Sequence, residues 1–168
     1  MPGHTPRSEP RWEVRQVRPD DPSVEPLLAG LMVEYSGRYP EWGGGADLDR
    51  EPTTDWDPPD GAYIVILEDG ETVAGGAFRR ADATTAEFKR IWTSSAHRGR
   101  GLARRVLAEL EQLAATRGYQ RVYLTIGPRQ PEARQLYLAS GYTPLFDVDE
   151  HPTPFRNLPF EKALVAAP

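Results

Sequence analysis

"AEFKRIWTSSAHRGRGLARRVL" occupies residues 86–107, and its reading decides the fold. AEFKRIWT (86–93) reads as a strand. A helix begins near Gly101, with Leu102, Val106, Leu110, Leu113 and Ala114 as its buried stripe, and runs to about Arg117, where Gly118 stops it. Between strand and helix lie Gly99 and Gly101, set among arginines. Glycines let a backbone approach a ligand closely, and a helix start offers unpaired N–H groups with partial positive charge. Such a turn suits a phosphate. No Walker pattern is present. A dinucleotide fingerprint also fails, because Arg104 stands where its third glycine belongs and the strand ending Thr125-Ile126-Gly127 lacks a ribose-binding acid. A turn made only for packing, with solvated arginines, stays open at this level.

Composition narrows the classes. The chain has 168 residues, 39% hydrophobic and 27% charged, with a net charge of −5, so general attraction to nucleic acid or anionic membrane is not expected. Basic residues cluster on one turn and are not spread over a face among aromatics, which further disfavours nucleic acid. Nothing approaches a membrane-spanning apolar run, and MPGHTPRSEP does not read as a signal peptide, so a cytoplasmic location is expected. There is no cysteine, which excludes disulfides and thiolate chemistry. His4, His97 and His151 show no ligand spacing, so no metal site is expected.

Residues 1–11 read as a flexible tail, and 12–168 as one domain. WEVRQVRP (12–19) alternates as a strand does. Asp21 can cap a helix with Pro22 at its first position, followed by Val24, Leu27, Leu28, Leu31, Met32 and Tyr35, with Gly37 as its end. Residues 40–61 are a long loop rich in Pro, Gly and Asp. AYIVIL and TVAGGAF flank EDGE, a hairpin signal. RVYLTI is a strand, QPEARQLYLASG a helix, and YTPLF and NLPFEKALV are closing strands. The expected fold class is α/β (α+β): a mixed, mostly antiparallel sheet of six to seven strands with about four flanking helices.

With the strand before it, the glycine turn resembles the acyl-CoA-binding motif of the GCN5-related N-acetyltransferases (GNAT). Their pattern is Gln or Arg, two residues, Gly, one residue, then Gly or Ala, met here by Arg98, Gly101 and Ala103 with Gly99 added. Downstream, YLTIGPRQPEARQLYLASGYTP is similar to the family's second signature, met by Ala133, Leu136, Tyr137, Gly141 and Tyr142. The resemblance covers about residues 12–165. It implies the GNAT fold, with acetyl-CoA as cosubstrate. It implies that backbone N–H groups of about Arg98, Gly99, Arg100, Gly101, Leu102 and Ala103 hold the pyrophosphate. It also implies that the backbone of Ile91, Trp92 and Thr93 pairs with the pantetheine arm. Gln130 and Ala133 would stand beside the cofactor, although many members carry asparagine where this chain has Gln130. Arg98 and Arg100 are the favoured phosphate contacts among the arginines, with Arg104 and Arg105 behind them.

Acyl transfer to an amine needs a neutral nucleophile, stabilisation of the developing oxyanion and a proton for the departing thiolate. By resemblance, Tyr137 is the general acid, since a phenol stays protonated at neutral pH; a core aromatic beside Ala133 and Leu136 on an apolar helix face is the alternative. Glu87 is the candidate base, where some members carry a glutamate; an ordinary strand glutamate facing solvent or paired with Lys89 or Arg90 is the alternative. Gly75 and Gly76 mark a bulge or a close approach to substrate, with packing as the alternative.

Residues 40–61 hold seven acids (Glu41, Asp47, Asp49, Glu51, Asp55, Asp57, Asp60) against Arg50, a net of −6 in a chain whose total is −5. In the resembled fold this segment overhangs the acceptor, and an acidic rim there would concentrate a cationic amine. A solvated acidic loop is the alternative. Tyr35, Tyr39, Trp42 and Trp56 add flat surfaces for a substrate. The expected activity is acetylation of a small primary amine, with a protein lysine or N-terminus second, and a non-catalytic acyl-CoA-binding module the rival from another class. The resemblance leaves a homodimer open.

Overall fold

The computed structural model describes residues 11–42, 53–150, 153 and 156–165. The segment read as a tail lies, but for Arg11, outside the described residues. The strands are β1 (Trp12–Val17), β2 (Ala62–Glu68), β3 (Glu71–Arg80), β4 (Thr85–Thr93), β5 (Arg121–Ile126), β6 (Thr143–Pro144) and β7 (Leu158–Ala163). The helices are α1 (Glu25–Arg38), α2 (Leu102–Thr116) and α3 (Pro131–Ala139). The described helices thus number three where about four were expected. The other helical pieces are short 3-10 turns, among them Pro22–Val24 capped by Asp21, whose carboxylate accepts the Ser23 N–H at 2.9 Å. One sheet runs β1-β2-β3-β4-β5-β7-β6, antiparallel except for the β4–β5 pair. YTPLF shrinks to a two-residue strand; Pro144 has no N–H to continue a ladder.

Period-two alternation along β2 builds both faces of this sheet. Ala62, Ile64 and Ile66 join the core under α2, whereas Tyr63, Val65 and Leu67 join the one under α1. Helix α2 supplies Leu102, Val106, Leu107, Leu110 and Ala114 to the first, with Leu113 at the margin. Helix α1 supplies Leu27 and Leu31 to the second. Asp69 and Gly70, both at positive φ (51° and 83°), make the tight β2–β3 turn. Gly118 at φ 90° ends α2, where the Tyr119 N–H reaches back to the Ala114 carbonyl at 3.1 Å.

Two irregularities open the sheet at its centre. Gly75 pairs with Trp92 and Ala77 with Lys89, so Arg90 and Ile91 together oppose Gly76. The bulge lies where the paired glycines pointed, but the extra residue is on β4, with Arg90 at φ 60°. The parallel β4–β5 ladder covers Thr85–Arg121 to Glu87–Tyr123 and goes no further. Beyond that rung the two strands part, each carrying several more residues.

Candidate functional site

Beside the stretch of β4 that β5 leaves unpaired lies a groove of about 320 Å³. Ile91, Trp92 and Thr93 line one wall. Opposite them, Gln130, Ala133, Leu136 and Tyr137 recur at three- and four-residue steps along one face of α3. Arg98, Gly99, Gly101, Leu102, Ala103 and Arg104 close one end. Every residue expected from the sequence to meet the cofactor therefore lines a single groove, except Arg105, which pairs with Glu109 at 2.8 Å, and Arg100. Its guanidinium is held by both Glu68 oxygens, at 2.6 and 3.1 Å, and lies over the Trp12 ring. Glu68 also faces His97 Nε2 at 3.1 Å, and the Arg100 pair holds its carboxyl below the usual range.

The closed end has the geometry of an anion cradle. Gly99 and Gly101 take φ of 76° and 83°, in the region that favours glycine. A Cβ built on either would meet nothing within 4 Å, so the turn is open in front. The first hydrogen bond of α2 runs from Arg105 N–H to Gly101 C=O at 3.1 Å. The N–H groups of Leu102, Ala103 and Arg104 accordingly have no helical acceptor.

Tyr137 is 5% exposed, stacked edge-on against Tyr142 and tilted against Phe160. Burial, with the Tyr35 phenol nearby, pushes its hydroxyl above the usual phenol range. It holds its proton at neutral pH.

Helix α1 roofs the groove through residues one turn apart. Gly30 lies over Trp92, and Glu34 faces Arg38 at 3.4 Å and Arg98 at 4.0 Å. Arg38 then pairs with Glu132 of α3. Against the penalty of burial, that guanidinium keeps Glu132 below the usual carboxylate range. Glu34 and Glu132 line the groove but were not singled out from the sequence. Only the approach of α1 to α3 brings them there; the single local sign is the four-residue step from Glu34 to Arg38. Leu136 was visible as part of the α3 signature.

The residues assigned to the acceptor scatter. Tyr39 is a strut: its hydroxyl accepts the Arg129 N–H at 3.0 Å and sits where a Cβ on Gly127 would be, 2.0 Å away. Gln130 braces the same loop, its Oε1 accepting the Gly127 N–H at 2.8 Å. Gly75 and Gly76 are packing positions. A Cβ on Gly75 would lie 2.6 Å from the Ile64 carbonyl oxygen, and one on Gly76 would lie 2.6 Å from Ile91 Cδ1. The side chain of Trp42 lies outside the described residues. Trp56 is buried, with the Arg90 guanidinium 4.8 Å from its ring centre.

Glu87 stands on the last rung before the strands part, yet it lines a second cavity of about 580 Å³ with Asp55, Asp57, Asp60, Arg79, Arg80 and Tyr123. Arg79 donates to it from the neighbouring strand at 2.8 Å, whereas the alternative reading named Lys89 or Arg90 as partner. The acidic loop is largely paired where described. Glu41 meets Arg129, Asp55 meets Arg79, Asp57 meets Arg18 and Asp60 meets Arg80. Asp47, Asp49 and Glu51 lie outside the described residues.

The model of the acetyltransferase (GNAT) family matches residues 28–142, more than half of the chain, spanning the roof helix, the cradle and α3. The chain belongs to the acetyltransferase (GNAT) family. It is 34% identical over 90 residues to the uncharacterized N-acetyltransferase YsnE of Bacillus subtilis, covering 50% of this chain and only 60% of that relative's length. It is 25% identical over 127 residues to YjgM of Escherichia coli, covering 73% and 76%. A Klebsiella pneumoniae protein assigned to the acyl-CoA N-acyltransferases superposes with a TM-score of 0.69 at 26% identity, over 92% of this GNAT chain and 98% of that one. The PaiA N-acetyltransferase of Thermoplasma acidophilum, solved with coenzyme A, shares the fold at 16% identity (TM-score 0.68, 91% and 99%).

Proposed function

We propose that this chain transfers an acetyl group from acetyl-CoA to a small cationic primary amine by direct attack in a ternary complex. The observation that carries the reading is the groove itself. An open cradle of glycines and helix N–H groups leads between parted strands to a buried, protonated tyrosine. These residues fit an acyl-CoA: the cradle suits its pyrophosphate, and the exposed backbone edge of Ile91–Thr93 suits an amide-bearing arm. The coenzyme A bound in the Thermoplasma relative supports this.

Bound there, the thioester would supply an activated acyl carbon. Tyr137 holds a proton inside the groove and gives it to the departing sulfur as the carbon–sulfur bond breaks and the carbon–nitrogen bond forms. Glu87, at the fork, takes the proton released by the amine through water. The second cavity would admit the acceptor, and four carboxylates against two guanidiniums in its lining favour a cation. Release of free thiol, followed with acetyl-CoA and a panel of amines at low and high salt, tests this. Selective turnover of cationic amines that weakens with salt is expected. Turnover without such preference removes the charge argument, and no thiol release with any amine removes the activity.

A further inference from the structure

Trp92 occupies an unusual place in the groove wall. On one side it faces Gly30, in the middle of α1, where glycine costs helix stability relative to alanine. A Cβ at position 30 would lie 2.2, 2.5 and 2.7 Å from Nε1, Cε2 and Cζ2 of the indole. Across the sheet its register partner is Gly75, which has no side chain either. The missing side chain at Gly30 thus makes room for the indole, which lies under α1, 8% exposed, and walls the same groove as Tyr137. Ile91 packs instead against the α2 core, so of these two neighbours on β4 it is Trp92 that walls the groove on the α1 side.

Resting on the acyl-CoA reading above, we propose that Trp92 determines acyl-chain length, confining the enzyme to acyl groups of two or three carbons. A longer chain leaving the arm toward α1 meets the indole face. Behind the indole, Gly30 leaves no space for even a Cβ, so retreat in that direction is closed. In an apolar pocket each methylene that fits or fails to fit changes selectivity by a factor on the order of ten or more.

Calorimetric titration of acetyl-, butyryl- and hexanoyl-CoA into the whole chain, with Trp92→Leu and Gly30→Ala alongside, tests the assignment without needing an acceptor. In the unaltered chain affinity is expected to fall about tenfold or more from acetyl to butyryl. Trp92→Leu should flatten or invert that series. Gly30→Ala, which leaves Trp92 in place but pushes the indole toward the groove, should steepen it. An unaltered chain that binds all three alike, or a Trp92→Leu series parallel to it, overturns the role of Trp92 alone. Failure of the unaltered chain to bind any acyl-CoA overturns the acyl-CoA reading itself.

Discussion

Tyr137 and Arg98 are the side chains at which single substitutions test the proposed activity most directly. Burial raises the Tyr137 pKa, so its proton is retained at neutral pH. Tyr137→Phe is expected to lower kcat by about a hundredfold or more, with little change in coenzyme A affinity. Steady-state kinetics with a binding titration would show this, and an unchanged kcat would remove the phenol from the chemistry. Arg98 lines the groove and, among the described residues, has Glu34 at 4.0 Å as its ion-pair partner, whereas Arg100 is bound twice by Glu68. Arg98→Ala should therefore weaken coenzyme A binding about tenfold, as loss of a charge-assisted hydrogen bond does, and Arg100→Ala distinctly less. Equal losses would mean that Arg100 leaves Glu68 when ligand binds. The groove was legible in sequence because the cradle and α3 each present their contacts within a dozen residues. Arg100 was misread for the converse reason: the partner that claims it lies 32 residues away, and nothing local marks it.

At the scale of elements, the groove depends on glycines that do different work. Gly101 needs its positive φ but faces open space, so Gly101→Ala should cost about 1–2 kcal/mol of stability through the backbone alone. A Cβ on Gly76 meets side-chain ends, chiefly Ile91 Cδ1. Gly76→Ala is expected to cost about 1–3 kcal/mol and to displace Ile91 at the groove wall, raising KM for acyl-CoA. Gly75→Ala meets the Ile64 carbonyl oxygen, which cannot rotate away, and should be the most destabilising of the three. Urea unfolding of the three variants would rank them, and Gly75→Ala as the mildest would contradict the packing account. Element order, the hairpin and the glycine stops of α2 and α3 could be read from periodicity and turn residues, whereas α1 runs through Gly37 to Arg38. The glycine pair announced an irregularity, but which strand carries the extra residue depends on how β3 and β4 register, and that is a tertiary outcome. The same holds for the second cavity. Its loop acids read as a rim because net charge records no pairing, while Arg18, Arg79 and Arg80 arrive from distant segments.

Across the whole molecule, these local environments fix how stability responds to pH. Tyr39, Tyr119, Tyr137 and Tyr142 all have their hydroxyls raised, burial being the largest cause in each. For Tyr142 the Glu111 carboxylate, 3.2 Å from the phenol oxygen and itself paired to Lys162, adds to the effect. Unfolding returns these phenols to water, where they ionise near pH 10. Above that pH the unfolded chain loses protons that the native chain keeps, so stability is level below about pH 10 and falls as pH rises further. On the acid side the directions reverse. Asp21, Glu41, Glu68, Asp82 and Glu132 are held below their ordinary values. As pH falls below about 4 the unfolded chain takes up protons first, and stability declines again. Urea midpoints measured from pH 3 to 11 should trace a plateau with both shoulders. Tyr142→Phe removes one of the strongly raised phenols and should make the alkaline decline shallower, whatever it does to the plateau height. An alkaline slope identical to that of the unaltered chain would show that Tyr142 already ionises normally in the folded protein, and that the α3–β7 junction around it admits water.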